Sequence, residues 1–272
     1  MSRKYVTLYA SPLVTVRDVV CSEACGNGRH EEYCAAATLA FVRSGAFVRR
    51  DRMGRHVADA TRVVFFDPAE PYMMDHPVPG GDRCTALLFD QTTLREAVLH
   101  ARGEPQRIFA RATLTGSAEM HLAHWHLLEA ARAADPVQVE ETALRLLQMC
   151  TEEKGGAAAP RGVAARRAAA LAADAQVLIA ECFAERVTLQ MLAAQLDVSP
   201  FRLCRVFRQT TGGTLHEHLT RLRLATALEK LPQYRERLTA LALDLGFSSH
   251  SHFTLAFRSH FGHAPTALLR PR

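Results

Sequence analysis

Lysine is nearly missing from this 272-residue chain: only Lys4, Lys154 and Lys230 occur, so almost all of the positive charge is arginine. With abundant alanine, that scarcity fits the coding bias of a GC-rich genome and carries no mechanism. No apolar run approaches the roughly 20 residues that a membrane span needs, and the opening Met-Ser-Arg-Lys leads into no signal-peptide core. A cytoplasmic protein without a membrane partner is therefore expected. The seven cysteines are odd in number and scattered, which excludes a disulfide framework and predicts mostly reduced thiols. Paired catalytic acids, a nucleophile elbow and a phosphate loop are all missing, so no enzyme is expected.

The length allows two domains, each with its own core, and 48% hydrophobic residues fits a soluble globular chain. Charge is unevenly divided. Residues 165–272 hold 14 basic against 8 acidic side chains, whereas residues 1–164 hold 19 against 20. The basic surface belongs to the C-terminal part, and its arrangement on paired short helices favours nucleic acid over a membrane surface.

Residues 188–208 show how those helices are specified. Thr188 is placed to cap a helix with Leu189, Leu192, Ala193 and Leu196 at helical spacing. Asp197-Val198-Ser199 interrupts the pattern, and Ser199 followed by Pro200 opens a second helix. Its inward stripe is Leu203, Val206 and Phe207. Phe201, Arg202, Cys204, Arg205 and Arg208 are left outside, a face with three guanidinium groups and no acid. Such a helix, held on a partner helix, suits a major groove.

Before this stretch the chain changes character. Residues 5–90 read as short strands: Val14–Val20, Tyr33–Val42, Ala46–Arg50, Val63–Phe66 and Cys84–Phe89, with Arg43-Ser44-Gly45 and Met53-Gly54 as separators. That pattern predicts an antiparallel barrel or sandwich able to enclose one small ligand. Thr93-Leu94-Arg95-Glu96 reads as a capping box opening a short helix. Residues 116–150 read as a helical hairpin broken at Asp135-Pro136, a common way to pair subunits, and Lys154 to Pro160 reads as a flexible linker. The expected divisions are a barrel over 1–105, a helical connecting and dimerising region over 106–153, a linker over 154–164 and a helical domain over 165–272.

That last domain continues with a helix near Arg166–Phe183. A capping box at Thr214-Leu215-His216-Glu217 opens a long helix, and a second helix-turn-helix follows at Leu238–Leu245 and His250–Phe261. The two patterns lie in step with Gly212, Arg221-Leu222, Gly246-Phe247, Phe253, Phe257, Phe261-Gly262 and Pro265, and together they resemble the DNA-binding domain of AraC/XylS-type bacterial transcription regulators. The resemblance implies two helix-turn-helix subdomains whose reading helices enter successive major-groove segments about 34 Å apart. It implies double-stranded DNA as partner, a homodimer, and contact with RNA polymerase. Base or backbone contacts would come from Phe201, Arg202, Cys204 and Arg205, with Arg208 on phosphate, and from His250, Ser251, His252 and Thr254 in the second helix. Leu255 departs from the family pattern, where a long polar or basic side chain is common; the second helix is thus expected to favour phosphates or a thymine methyl. Arg62–Pro68, Glu70-Pro71-Tyr72 and Asp75-His76-Pro77 are similar to the cupin-like sensor barrels of the same regulators, which implies a domain that binds an effector such as a small molecule, mediates dimerisation, or does both. No His-x-His pair precedes an acid as in metal cupins.

Several residues admit two readings. Arg205 can read guanine O6 and N7 with its fork, or be a solvated arginine. Phe201 can meet a thymine methyl or sugar, or act as a helix-start staple. Cys21, Cys25, His30 and Cys34 offer ligands for zinc or a softer metal, or thiols for redox sensing, as an alternative function; the Cys-x3-Cys spacing is not the tight paired knuckle, and packing or incidental surface cysteine is the plainer account. His56 and His76 can line an effector pocket or merely sit in turns. His121, His124 and His126, beside Trp125, are expected at an interface or surface.

Overall fold

A computed structural model describes residues 3–21, 30–68, 70–102, 108–109, 111–152 and 162–269. Two compact units part at Ala159 and Pro160, and the short segment Asp59–Thr61 groups with the second. Most of the expected linker lies outside the described residues. The observed class is the expected one: an antiparallel β unit with a helical hairpin, then an all-α unit with two helix-turn-helix motifs.

In the first unit the strands are β1 (Arg3–Ala10), β2 (Val14–Cys21), β3 (Thr38–Asp51), β4 (Gly54–Asp59), β5 (Arg62–Phe66), β6 (Met73–Asp75), β7 (Asp82–Phe89) and β8 (Thr113–Thr115). Their order is β1-β2-β7-β3-β5-β8, with β4 and β6 also on β3. Strand alternation divides the core in two. Val16, Leu39, Phe41, Val63, Phe65 and Leu87 face one way, while Ala40, Val42, Val64, Phe66 and Cys84 face the other and meet Phe47, Ala58, Tyr72 and Met74. The sheet thus curls over its second face. That interior is filled by side chains, among them the fully buried Arg49. Its guanidinium lies over the Phe66 and Tyr72 rings at 4.9 and 5.4 Å, pairs with Asp51 at 3.1 Å and donates to the Phe65 carbonyl.

The first face is covered by α1 (Gln91–Arg102), α2 (Ala118–Arg132) and α3 (Pro136–Glu152). Leu94 from α1, Met120, Ala123 and Leu127 from α2, and Val139, Ala143, Leu146 and Leu147 from α3 close the core over the sheet. Three local expectations are corrected here. Arg43-Ser44-Gly45 is no separator, because β3 runs through it, with a bulge between Val42 and Ser44 where the strand meets β7. Gly45 has φ +71°, and a Cβ there would stand 2.0 Å from the Gly81 carbonyl oxygen, so backbone approach and conformation both require glycine. The α1 helix begins before Thr93, since the Asp90 carboxylate accepts from the Thr92 and Thr93 amides at 2.9 and 3.2 Å. Finally, His124 is a core residue, stacked on Phe41, rather than an interface or surface one.

The second unit comprises α4 (Val163–Cys182), α5 (Leu189–Gln195), α6 (Pro200–Thr211), α7 (Leu215–Lys230), a 3-10 turn (Leu231–Tyr234), α8 (Leu238–Asp244), α9 (His250–Phe261) and α10 (Pro265–Leu268). No helix among the described residues is long and apolar enough to cross a membrane.

Candidate nucleic-acid interface

Four helix starts in the second unit, those of α5, α6, α7 and α9, are fixed by a local polar bond. Thr188 accepts from the Met191 amide at 3.2 Å, and Ser199 accepts from the Arg202 amide at the same distance. Ser249 accepts from the His252 amide at 3.1 Å. Thr214 and Glu217 make the full reciprocal box, Glu217 N–H to Thr214 Oγ1 at 3.1 Å and Thr214 N–H to Glu217 Oε2 at 2.8 Å. The Glu217 carboxyl is held below its ordinary range, first by that Thr214 amide and further by the Arg221 and Arg208 charges.

The two outer helices are built alike. α6 is opened by Ser199 and closed by Gly212 at φ +79°; α9 is opened by Ser249 and closed by Gly262 at φ +77°. Each has 12 residues and buries three apolar side chains: Leu203, Val206 and Phe207 in α6, Phe253, Phe257 and Phe261 in α9. These stripes fix what is left outside. Phe201, Arg202, Cys204, Arg205 and Arg208 are all exposed on α6, as the helical spacing requires. Phe201 is 77% exposed, which rules out a packed staple. Arg202 and Arg205 have no ion-pair partner among the described residues. On α9, His250, Ser251 and His252 are exposed and Thr254 is half-buried. The His252 ring is oriented by Ser248 Oγ at 3.0 Å from Nδ1 and packs edge-on to Phe247, while Thr254 Oγ1 lies 3.4 Å from His250 Nε2. Leu255 is 71% exposed, so its apolar side chain is available to a partner.

One organising residue is not apparent from the sequence pattern. Arg223, on α7, donates from Nε to the Phe183 carbonyl at 2.8 Å and from Nη2 to the Glu185 carbonyl at 2.9 Å. It also lies 5.8 Å from the Phe247 ring centre. It therefore ties the end of α4 to the turn before α9, and Gly246 leaves room for it: a Cβ there would stand 2.6 Å from Nη2. Burial pulls its pKa down from the ordinary arginine value. Helical periodicity marks Arg223 only as a position between the apolar residues of α7.

Residues 192–271 match the family described as "Helix-turn-helix domain". They form an AraC/XylS-type helix-turn-helix domain. The helix-turn-helix domain is 37% identical over 86 residues to the HTH-type transcriptional activator RhaS of Pectobacterium atrosepticum, covering 32% of this chain and 31% of that protein. With RhaS of Escherichia fergusonii it is 34% identical over 90 residues, 33% and 32% of the two chains. The chain thus spans about a third of the length of the curated relatives it matches. Among solved structures, ToxT from Vibrio cholerae O395 is 11% identical with a TM-score of 0.37, covering 94% of this chain and 96% of that one. The C-terminal domain of AraT from Geobacillus stearothermophilus is 28% identical with a TM-score of 0.36, covering 38% and 85%.

The N-terminal candidates are placed differently from the helix-turn-helix residues. His56 Nε2 lies 3.3 Å from Asp51 Oδ1, which also accepts from the Met53 and Gly54 amides at 2.7 and 3.2 Å. Burial acts to raise the Asp51 carboxyl, but His56, Arg49 and the Met53 amide outweigh it and hold it low. His56 thus lies on β4 and reaches back to the Asp51 carboxylate that also binds the β3–β4 turn amides. His76 is fully buried beside Asp82 and Cys21. A groove of about 490 Å³ between α1 and α3, lined by Thr93, His100, Leu144 and Gln148 among others, includes neither histidine. Of the four expected metal ligands, Cys25 lies outside the described residues. His30 is exposed, and Cys34 is half-buried with Sγ 3.4 Å from Thr38 Oγ1. Cys21 does sit among metal-ligating groups, but its companions are His76 and Asp82, brought to it by strand pairing rather than by closeness in sequence. The six cysteines described are free thiols.

Proposed function

We propose that the chain is a sequence-specific regulator of transcription that reads double-stranded DNA with α6 and α9. The observation that supports this best is the pair of like-built helices, with three guanidinium groups exposed on the first and no acid among them. Arg205 reads a guanine through its bidentate fork, while Arg202 and Arg208 hold phosphates and set the register. Phe201 and Leu255 supply apolar contact to thymine methyls or sugars. Cys204 permits close approach, and His250, Ser251, His252 and Thr254 face the second groove segment. The relatives named activators support activation as the output. Contact with RNA polymerase, in the cytoplasm, completes this reading.

The N-terminal unit, residues 1–105 with the hairpin region 106–153, senses a small-molecule effector, pairs two copies, or does both; residues 154–164 link it to the reader at 165–272. An effector acts only through unequal affinity for two arrangements of sensor, linker and reader. Selection from a pool of random duplexes with the full chain tests the DNA reading. Enrichment of a motif with two parts about one helical turn apart is expected; recovery of the starting pool would sink it.

A further inference from the structure

The end of β2 and the start of β7 place three donor groups at one point in the N-terminal unit. Cys21 and Asp82 are directly opposed in the β2–β7 register, and His76 reaches them from the segment after β6. Cys21 is 2% exposed, His76 is fully buried and Asp82 is 6% exposed. One donor atom from each lies within 4.8 Å of the other two. His76 Nε2 is 3.5 Å from Cys21 Sγ, and His76 Nδ1 is 2.7 Å from Asp82 Oδ1.

Two explanations compete for a Cys–His–Asp cluster: a proton relay activating a nucleophilic thiol, and a metal site. A relay needs an aligned N–H···O bond between imidazole and carboxylate and a thiol that a substrate can reach. Neither holds. Despite their closeness, His76 Nδ1 and Asp82 Oδ1 are not in hydrogen-bond alignment, and all three side chains are buried. Metal ligation instead suits buried donors that converge. A tetrahedral ion with ligands at about 2.0–2.3 Å holds its donors about 3.3–3.8 Å apart, and the three donors here already lie within 4.8 Å of one another.

We propose that Cys21, His76 and Asp82 form a binding site for a divalent metal ion of the zinc type. One sulfur, one nitrogen and one oxygen ligand match the borderline softness of zinc, and three protein ligands leave a fourth position for water or an exogenous ligand. Divalent charge compensates the thiolate and carboxylate that would otherwise be buried together. The surroundings support the ligands: Cys84 Sγ donates to Asp82 Oδ2 at 3.3 Å, leaving Oδ1 directed at the site. The Phe47 ring stands 6.3 Å from the His76 ring, and Gly45 packs against the Gly81 carbonyl just ahead of Asp82.

The test uses the full chain, made without a metal-binding tag, stripped with chelator and titrated with zinc and with cobalt(II). One equivalent of zinc by native mass spectrometry is expected, together with a tetrahedral cobalt spectrum bearing a thiolate-to-metal charge-transfer band. Cys21→Ser should abolish that band, and His76→Gln and Asp82→Asn should weaken zinc at least about a hundredfold, more than the roughly 10- to 100-fold expected of Cys84→Ser at a supporting position. Cys34→Ser should change nothing. Absence of stoichiometric metal and of a cobalt spectrum in the wild-type chain overturns the proposal without recourse to any variant. So does a charge-transfer band that survives in Cys21→Ser.

Discussion

The imidazole of His124 lies flat on the ring of Phe41, with centroids 4.7 Å apart and planes 10° from parallel. The histidine is on the buried face of α2, and its Nε2 has no hydrogen-bond partner among the described residues. Burial, and then the charges of Arg43 and His121, lower its pKa well below the ordinary value. Protonation therefore favours the unfolded chain, in which an exposed histidine titrates near pH 6.5. This contribution to stability is intact above about pH 6.5 and declines as the pH falls, by up to about 1.4 kcal/mol per pH unit, until the folded-state pKa is reached. Urea unfolding at pH 7.5 and 5.5 should show the decline in the wild-type protein and a smaller one in His124→Phe. Equal pH slopes would remove His124 as the cause.

On the proposed reading, the arginines of α6 divide specificity from affinity. Arg205→Ala should cost about 1 to 3 kcal/mol on the selected duplex and little on unrelated DNA. Arg208→Ala should weaken both alike and reduce the slope of log affinity against log salt by about one. Fluorescence anisotropy over a salt series distinguishes the two, and an Arg205 variant with unchanged selectivity would return it to the ordinary solvated class.

Gly45→Ala should be among the most damaging single changes in the N-terminal unit, because the added Cβ would meet backbone rather than a movable side chain. A loss above about 3 kcal/mol, or failure to fold, is expected. Gly212→Ala supplies the contrast. It also has positive φ, but nothing within 4 Å obstructs a Cβ, so a loss of about 1 kcal/mol is expected. Chemical denaturation of both variants measures the difference, and similar losses would mean that strain alone, not the approach to Gly81, makes Gly45 necessary.

Removing the Arg223 fork should loosen the tie between the α4 end and the turn before α9. Two carbonyl bonds are lost, costing about 2 kcal/mol, and the melting temperature of the C-terminal unit should fall by several degrees. Arg223→Lys should recover only part, since an ammonium does not reproduce the planar fork. Full recovery with lysine would assign the effect to charge alone.

The helix-turn-helix residues were legible because their cause is local. Thr188, Ser199, Thr214 and Ser249 each bond an amide three residues ahead, and the apolar stripes of α6 and α9 follow from helical spacing. The β unit was less legible because its causes are distant in sequence. Arg43-Ser44-Gly45 has turn-like composition, yet pairing with residues near Asp82 makes it a bulged strand. Likewise, Cys21 finds His76 and Asp82 across more than fifty residues, so searching for ligands among its sequence neighbours favoured His30 and Cys34 instead. Arg223 was missed for a third reason: its partners are main-chain carbonyls, which leave no side-chain signature to match.

The equal length of α6 and α9, with serine at the start and a left-handed glycine at the end of each, has a bearing on how a binding site for this protein would look when many are aligned. Both helices would cover the same number of base pairs. They would not demand the same from them, for α6 carries Arg202, Arg205 and Arg208, whereas the only arginine of α9 is Arg258, near its end. A sequence logo of such sites should therefore be lopsided, tall over one half and shallow over the other. Promoters would drift freely in the shallow half while the tall half stayed fixed.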